Sequence, residues 1–144
     1  MRNSKLLQRE DGVKITVITV NFNNLNGLKR TIPSVLSQTY NQYEYIIVDG
    51  GSTDGSKEYI EQYSPLIDEW VSEPDKGVYN AMNKAIKMAH GEFCIFMNSG
   101  DHFYSPTVLD EVLPSLNDAD IYTGYTLRIG DKQVDIWAPP AELD

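Results

Sequence analysis

The sequence predicts an α/β fold, a mainly parallel sheet with helices on both faces. Short β-branched apolar runs alternate with segments of helical periodicity in the order β-α-β-α-β-α-β, which is the pattern of a parallel sheet with crossover helices. The first of these runs is apolar almost throughout, as a strand buried on both faces is. Turn-forming residues (Asn, Asp, Gly, Ser) follow directly on three of the four runs.

The first strand is V-K-I-T-V-I-T-V at 13–20, which runs into Asn21-Phe22-Asn23-Asn24. Leu28, Ile32, Val35 and Leu36 then fall at i, i+4, i+7 and i+8, one face of a helix. Pro33 lies inside that pattern and is expected to kink the helix or to limit its regular part to the residues after Thr31. The second strand, Y-E-Y-I-I-V at 43–48, ends in Asp49-Gly50-Gly51-Ser52-Thr53-Asp54-Gly55. Thr53 or Asp54 suits the N-cap of a helix through Tyr63, which Ser64-Pro65 stops.

A weaker third strand covers 67–72, with Trp70 and Val71. Glu73-Pro74-Asp75-Lys76-Gly77 introduces the clearest helix, whose apolar residues Val78, Ala81, Met82, Ala85, Ile86 and Ala89 fall on one face. Gly91 is expected as its C-cap, with His90 near the helix's negative pole. The fourth strand, F-C-I-F-M at 93–97, delivers Asn98-Ser99-Gly100-Asp101. A helix from Ser105-Pro106 follows, with Val108, Leu109, Val112, Leu113 and Leu116 apolar. Segments 121–129 and 133–137, joined at Gly130-Asp131, read as a β-hairpin. Residues 1–12 read as a loose lead-in and 13–144 as one domain. The tail at 138–144 ends in a loop without a closing element.

Of the 144 residues, 41% are hydrophobic and 23% charged, ordinary for a globular domain. The net charge of −9 argues against the electrostatic footprint of a nucleic-acid binder. An acidic chain that binds an anionic phosphate ligand needs a cation between them. The single cysteine, Cys94, lies in an apolar strand and reads as a small buried hydrophobe, with no disulfide framework or zinc cluster implied. Residues 1–12 lack the apolar core of a signal peptide, and no run approaches membrane-spanning length. A cytoplasmic location is expected, with room for peripheral association at the inner face of the membrane.

In an open α/β sheet, ligands bind beyond the carboxyl ends of the strands. Three exits carry distinctive chemistry there: Asn21-Phe22-Asn23, Asp49-Gly50-Gly51 and Asn98-Ser99-Gly100-Asp101. An aromatic ring and two carboxylates on one edge suit a nucleoside diphosphate. The base would lie against Phe22, with base or ribose bonded by Asp49 and the phosphates on a metal held by Asp101. On its own stretch Asp101 serves equally as a cap for the helix that follows. No G-x-G-x-x-G follows the first strand and no G-x-x-x-x-G-K-[ST] occurs, which disfavours nicotinamide dehydrogenases and P-loop NTPases. His90 and His102 have no metal-ligand spacing, and His102 reads as a plain loop residue.

The ordered series V-K-I-T-V-I-T-V-N-F-N-N, S-V-L-S-Q-T-Y, Y-I-I-V-D-G-G-S-T-D-G, E-P-D-K-G-V-Y-N-A-M-N-K-A-I-K-M-A-H-G-E and F-M-N-S-G-D resembles family 2 glycosyltransferases, closest to those that build bacterial surface polysaccharides. The resemblance runs from about Val13 to Asp101. It implies the Rossmann-like GT-A fold that binds nucleotide-diphospho-sugars, and transfer of a sugar, with inversion, to a glycan or lipid-linked acceptor. By the resemblance Phe22 packs on the base and Asp49 hydrogen-bonds it. Val20, Asn21, Asp75, Asn83, Asn98 and Ser99 join the nucleotide site, and Asp101 binds Mn²⁺ or Mg²⁺. Asn98 and Gly100 stand where acids are frequent in the family's D-x-D element, and Met82 where an Arg is frequent. The resemblance also places the general base and the acceptor site in a C-terminal half, expected beyond Asp144. Asp131, Asp135 and Asp144 have no motif to support that role. The alternative is an inactive half-domain that binds the nucleotide sugar without catalysis. A nucleotidyltransferase would carry a Gly- and base-rich phosphate loop after the first strand, and residues 21–24 are neither.

Overall fold

The computed structural model describes residues 12–116 and the backbone of two short strands at 126–129 and 134–137. Four parallel strands form the sheet: β1 (Ile15–Asn21), β2 (Glu44–Asp49), β3 (Glu69–Ser72) and β4 (Phe93–Phe96), in the spatial order β3-β2-β1-β4. Between them run α1 (Leu25–Leu36), α2 (Ser56–Gln62) with a 3₁₀ turn at Ser64–Leu66, and α3 (Val78–Met88). After β4 come α4 (Val108–Val112) and a 3₁₀ turn at Leu113–Ser115. β5 (Thr126–Ile129) and β6 (Val134–Trp137) pair antiparallel, the expected hairpin. The lead-in at 1–11, the hairpin turn with Asp131, the start of the hairpin at 121–125 and the tail at 138–144 lie outside the described residues.

Alternation along the strands divides the core. Ile15, Val17, Tyr45 and Ile47 face one layer with Leu28, Ile32 and Val35 of α1, Ile60 of α2 and Leu109 of α4. Ile18, Val20, Ile46 and Val48 face the other layer, against Ala81 and Ala85 of α3. Helices therefore cover both faces, as expected. The small Ala81 and Ala85, both fully buried, let α3 lie close to the sheet. Among the described residues no helix is long and apolar enough to cross a membrane.

Four local expectations need correction. α1 continues through Pro33 to Leu36. Its buried stripe of Leu28, Thr31, Ile32 and Val35 spans the proline, and Ser37 N–H donates to Pro33 O at 3.0 Å, so packing and the resumed ladder hold the helix across the missing donor. The last helix stops at Val112, with Leu113 still helical, because Pro114 has no N–H to continue the ladder, and the chain tightens into a 3₁₀ turn.

α3 ends at Met88 with an extended Ala89, so Gly91 is no C-cap. Gly91 lies against β1: its N–H donates to Thr16 Oγ1 at 2.9 Å, and a Cβ there would stand 2.6 Å from Thr16 N and 2.9 Å from Ile15 C. His90 likewise answers to a partner other than the helix pole. Its backbone N–H donates to Glu44 Oε1 at 2.8 Å and its Nδ1 lies 2.6 Å from Oε2 of that buried carboxylate, which also accepts from Thr16 Oγ1.

Gly91→Ala is therefore expected to destabilise the domain by about 1–3 kcal/mol, since backbone atoms of β1 cannot rotate aside as a side chain would. Urea unfolding measures it. A loss below about 0.5 kcal/mol would mean that β1 yields at this point.

Candidate functional site

The carboxyl ends of all four parallel strands lie along one edge, and backbone bonds continue past the strands to stitch the exits together. Gly50 N–H donates to Asn21 O at 2.9 Å, Glu73 N–H to Asp49 O at 3.0 Å and Ser99 N–H to Val20 O at 3.1 Å. The edge is thus one connected surface built from residues 21–24, 49–54, 72–77 and 98–101.

Register sets its centre. Asn21 pairs with Asp49 across β1 and β2, and Asp49 with Ser72 across β2 and β3. Paired residues of parallel strands project to the same face, so these three meet in a row. Asp49 Oδ1 accepts from Asn21 Nδ2 at 2.7 Å and Ser52 Oγ at 2.6 Å, and Oδ2 from Ser52 N–H at 2.9 Å and Ser72 Oγ at 2.7 Å. The side chain is fully buried. Burial opposes its ionisation, but the donors from Ser52, Asn21 and Ser72 outweigh that, and the carboxyl is held below its ordinary pKa. Asn21 is buried too, and its Oδ1 has no donor among the described residues. The carboxylate dictates that orientation, because it attracts the amide NH₂ and repels the amide oxygen. The Asp49 acceptors, assigned to a base by resemblance, are all engaged by the chain itself in this conformation.

A second set of bonds fixes the loop after β4. Thr31, fully buried on α1, donates from Oγ1 to Asp101 O at 2.6 Å and accepts from Gly100 N–H at 3.0 Å. Asn24 Nδ2 donates to Ser99 O at 3.2 Å, and Asn98 Oδ1 accepts from Val20 N–H at 3.3 Å. Gly100 takes φ +104°, a left-handed conformation that glycine adopts at no steric cost. Asp101 follows it, exposed, and no described residue bonds its carboxylate. It is no helix cap: α4 begins at Val108, and Ser105 Oγ accepts the N–H of its cap Thr107.

Phe22 is 63% exposed at the β1 exit, an apolar ring held open to solvent on the edge. Asp75 is half-buried and accepts Gly77 N–H at 2.9 Å through Oδ1. Val20 is buried, and its backbone N–H and C=O are taken by Asn98 and Ser99. Asn83 is exposed on α3, with no bond to the edge loops.

The N-cap of α2 is Gly55, without a side-chain cap bond, and not Thr53 or Asp54 as expected. Asp54, one residue earlier, accepts Ser56 N–H at 3.0 Å and also holds the first N–H of α1, Leu25, at 2.9 Å. Sequence reasoning missed Thr31, Asn24 and Ser52. Thr31 did leave a signal: it is a polar residue in the i+3 slot of an apolar stripe. Ser52 and Asn24 sit in loops whose bonding no periodicity reveals.

Among the described residues no group of three or more His, Cys, Asp or Glu could hold a metal by itself. One exposed carboxylate still fits a hard cation that takes its remaining oxygen ligands from substrate phosphates and water.

The model of the glycosyl transferase family 2 matches residues 16–142. The chain belongs to that family. An uncharacterised glycosyltransferase of Mycobacterium tuberculosis is 41% identical over 104 residues, 72% of this chain and 40% of that protein. Bacillus subtilis TuaG, assigned as a teichuronic acid biosynthesis glycosyltransferase, is 33% identical over 123 residues, covering 81% and 48% of the two. The chain thus spans less than half the length of these relatives. Among solved structures, S. aureus TarS 1-349 in complex with UDP matches with TM-score 0.63 and 25% identity over 71% of this chain and 31% of that one. The mannosyltransferase PcManGT from Pyrobaculum calidifontis, in complex with GDP-Man and Mn²⁺, is 22% identical with TM-score 0.67 over 80% and 38%, and shares the fold. The architecture is the GT-A fold expected from the sequence.

Proposed function

We propose that this family 2 chain is the donor-binding part of a glycosyltransferase that moves a sugar from a nucleoside-diphosphate carrier to a glycan or lipid-linked acceptor in polysaccharide synthesis, with inversion. The observation that carries the reading is the edge itself: in a chain of this family, an exposed ring at Phe22 and an exposed carboxylate at Asp101 stand on neighbouring strand exits locked by Thr31 and Asn24. The bound UDP and GDP-Man of the structural neighbours support the donor class.

Phe22 offers its face to a base, and Asp101 would hold Mn²⁺ or Mg²⁺ together with the diphosphate. When bound, the ion neutralises charge that develops on the departing diphosphate. The chain's own part is to keep the edge rigid. Asp49 clamps the exits of β1, β2 and β3, and Thr31 fixes the loop that carries Asp101. Removing the acceptor's proton falls to a general base, which this reading places beyond Asp144.

A second reading is a half-domain that binds the donor without catalysing transfer. Incubating the chain with UDP- and GDP-sugars, Mn²⁺ and lipid-linked glycans separates the two. Metal-dependent release of nucleoside diphosphate supports the transferase, and metal-dependent binding without release supports the half-domain. Absence of binding contradicts both.

A further inference from the structure

The run S-V-L-S-Q-T-Y at 34–40 lies toward the end of α1 remote from the strand exits, and two of its polar residues reach back to the loop that carries Asp101. Thr31, Ser34 and Gln38 fall at i, i+3 and i+7, one stripe along α1 and just past its end. Each holds main chain of the irregular segment between β4 and α4. Thr31 Oγ1 accepts from Gly100 N–H and donates to Asp101 O. Ser34, half-buried, accepts Phe103 N–H through Oγ at 2.8 Å. Gln38, buried, donates from Nε2 to Ser105 O at 2.6 Å and accepts Leu109 N–H through Oε1 at 3.0 Å. Backbone groups outside a ladder must find partners elsewhere. One helix face supplies them here, in chain order from residue 100 to residue 109.

The strand order explains the need. β4 is an edge strand of the described sheet, so the loop that leaves it has a neighbouring exit on the β1 side alone. The Asp101 carboxylate bonds no described residue, so its place depends on how the main chain around it is held. Thr31 grips the chain at Asp101 itself, and Ser34 grips it two residues later. A group that serves a bound ion has to be kept within about 0.5 Å of its working place.

We infer that Ser34 and Gln38 are positioning residues for the Asp101 carboxylate. They lay residues 103–109 along α1 and so keep the chain after Asp101 from turning away from the diphosphate. The bonds go to main chain only, so the stripe sets the path of the loop independently of the loop's own side chains.

The inference rests on the donor-binding reading. Calorimetric titration with UDP and GDP, with and without Mn²⁺, and amide hydrogen exchange of the free chain test it on Ser34→Ala, Ser34→Thr, Gln38→Met and Ser37→Ala. Ser37 is the control for helix stability, because its Oγ donates to Pro33 O at 2.6 Å within α1's own last turn. Ser34→Ala and Gln38→Met are expected to speed exchange at Gly100 and Asp101, whose own bonding partners they leave in place. They are also expected to cut the gain in affinity that Mn²⁺ confers by about tenfold, the scale of losing a group that supports a metal ligand. Affinity without Mn²⁺ is expected to stay at the wild-type value. Ser34→Thr, which keeps the hydroxyl, and Ser37→Ala are expected to match the wild type in both measurements. Ser34→Ala decides alone where Gln38→Met does not fold. A Mn²⁺ gain that Ser34→Ala leaves intact, or a loss that Ser34→Thr and Ser37→Ala share, overturns the inference and leaves the donor site standing. A wild type that binds nucleotide without any gain from Mn²⁺ removes the metal role and the inference with it, and one that binds no nucleotide overturns the donor site as well.

Discussion

Replacing Asp49 with alanine is expected to lower stability by about 3–4 kcal/mol, among the larger effects a single substitution produces. Four donors converge on this one buried carboxylate: Asn21 Nδ2, Ser52 N–H, Ser52 Oγ and Ser72 Oγ. Each buried donor left without a partner costs about 1–3 kcal/mol. The two hydroxyls can turn toward other acceptors, so the costs do not sum in full. The expected fall in Tm is roughly 10–20 °C for a domain of this size. A loss below about 1 kcal/mol would show that the row across β1, β2 and β3 is not what holds the edge.

The same group sets an acid limit. Its pKa is lowered in the folded chain and stands at about 3.9 when unfolded. The stabilisation is therefore complete above about pH 4 and is lost as pH falls through the lowered folded value. Asp49→Asn is expected to lack that part of the acid dependence, measured as unfolding free energy between pH 6 and the acid limit. A wild type and variant with parallel profiles would contradict the assignment.

Asp101→Ala is the second large effect, on binding rather than stability. The side chain is exposed and bonds no described residue, while the main-chain bonds that hold its loop, from Thr31 Oγ1 and to Asn98 O, survive the substitution. Unfolding free energy is expected to change by less than about 0.5 kcal/mol. Nucleotide affinity in Mn²⁺ is expected to fall by one or more orders of magnitude, the scale of losing a key electrostatic group, and to become indifferent to the metal. Titration of the variant with and without Mn²⁺ checks both. Equal affinity in wild type and variant would remove Asp101 from the metal site.

The order of elements and their division between two faces were legible because strand alternation and the helical stripes of α1 and α3 depend only on local residue types. The N-cap expected at Thr53 or Asp54 falls instead on Gly55, whose left-handed conformation no residue-type preference for capping side chains reveals. The rest of what escaped depends on long-range approach. Gly91 looks like a helix end in sequence, yet its lack of a side chain answers to β1, some 75 residues earlier in the chain. His90 looks like a companion of the helix pole, but a buried glutamate from β2 holds it. Pro33 argues against a continuous helix until the apolar stripe on both sides of it is packed against the sheet. The candidate site divides in the same way. Phe22 and Asp101 could be chosen from residue type and place after a strand. The saturation of Asp49 and the grip of α1 on the Asp101 loop could not, because register and loop approach create them.

The central claim is that the β1 and β4 exits together hold a metal–diphosphate. Paramagnetic broadening in ¹H–¹⁵N spectra tests it most directly, with Mn²⁺ added to the chain in the presence of UDP or GDP. The account predicts early loss of the amide signals of Ser99, Gly100, Asp101, Phe22 and Asn23, while Glu44, His90 and Gly91 on the opposite edge persist. Broadening centred on that opposite edge, or unchanged by Asp101→Ala, would contradict it.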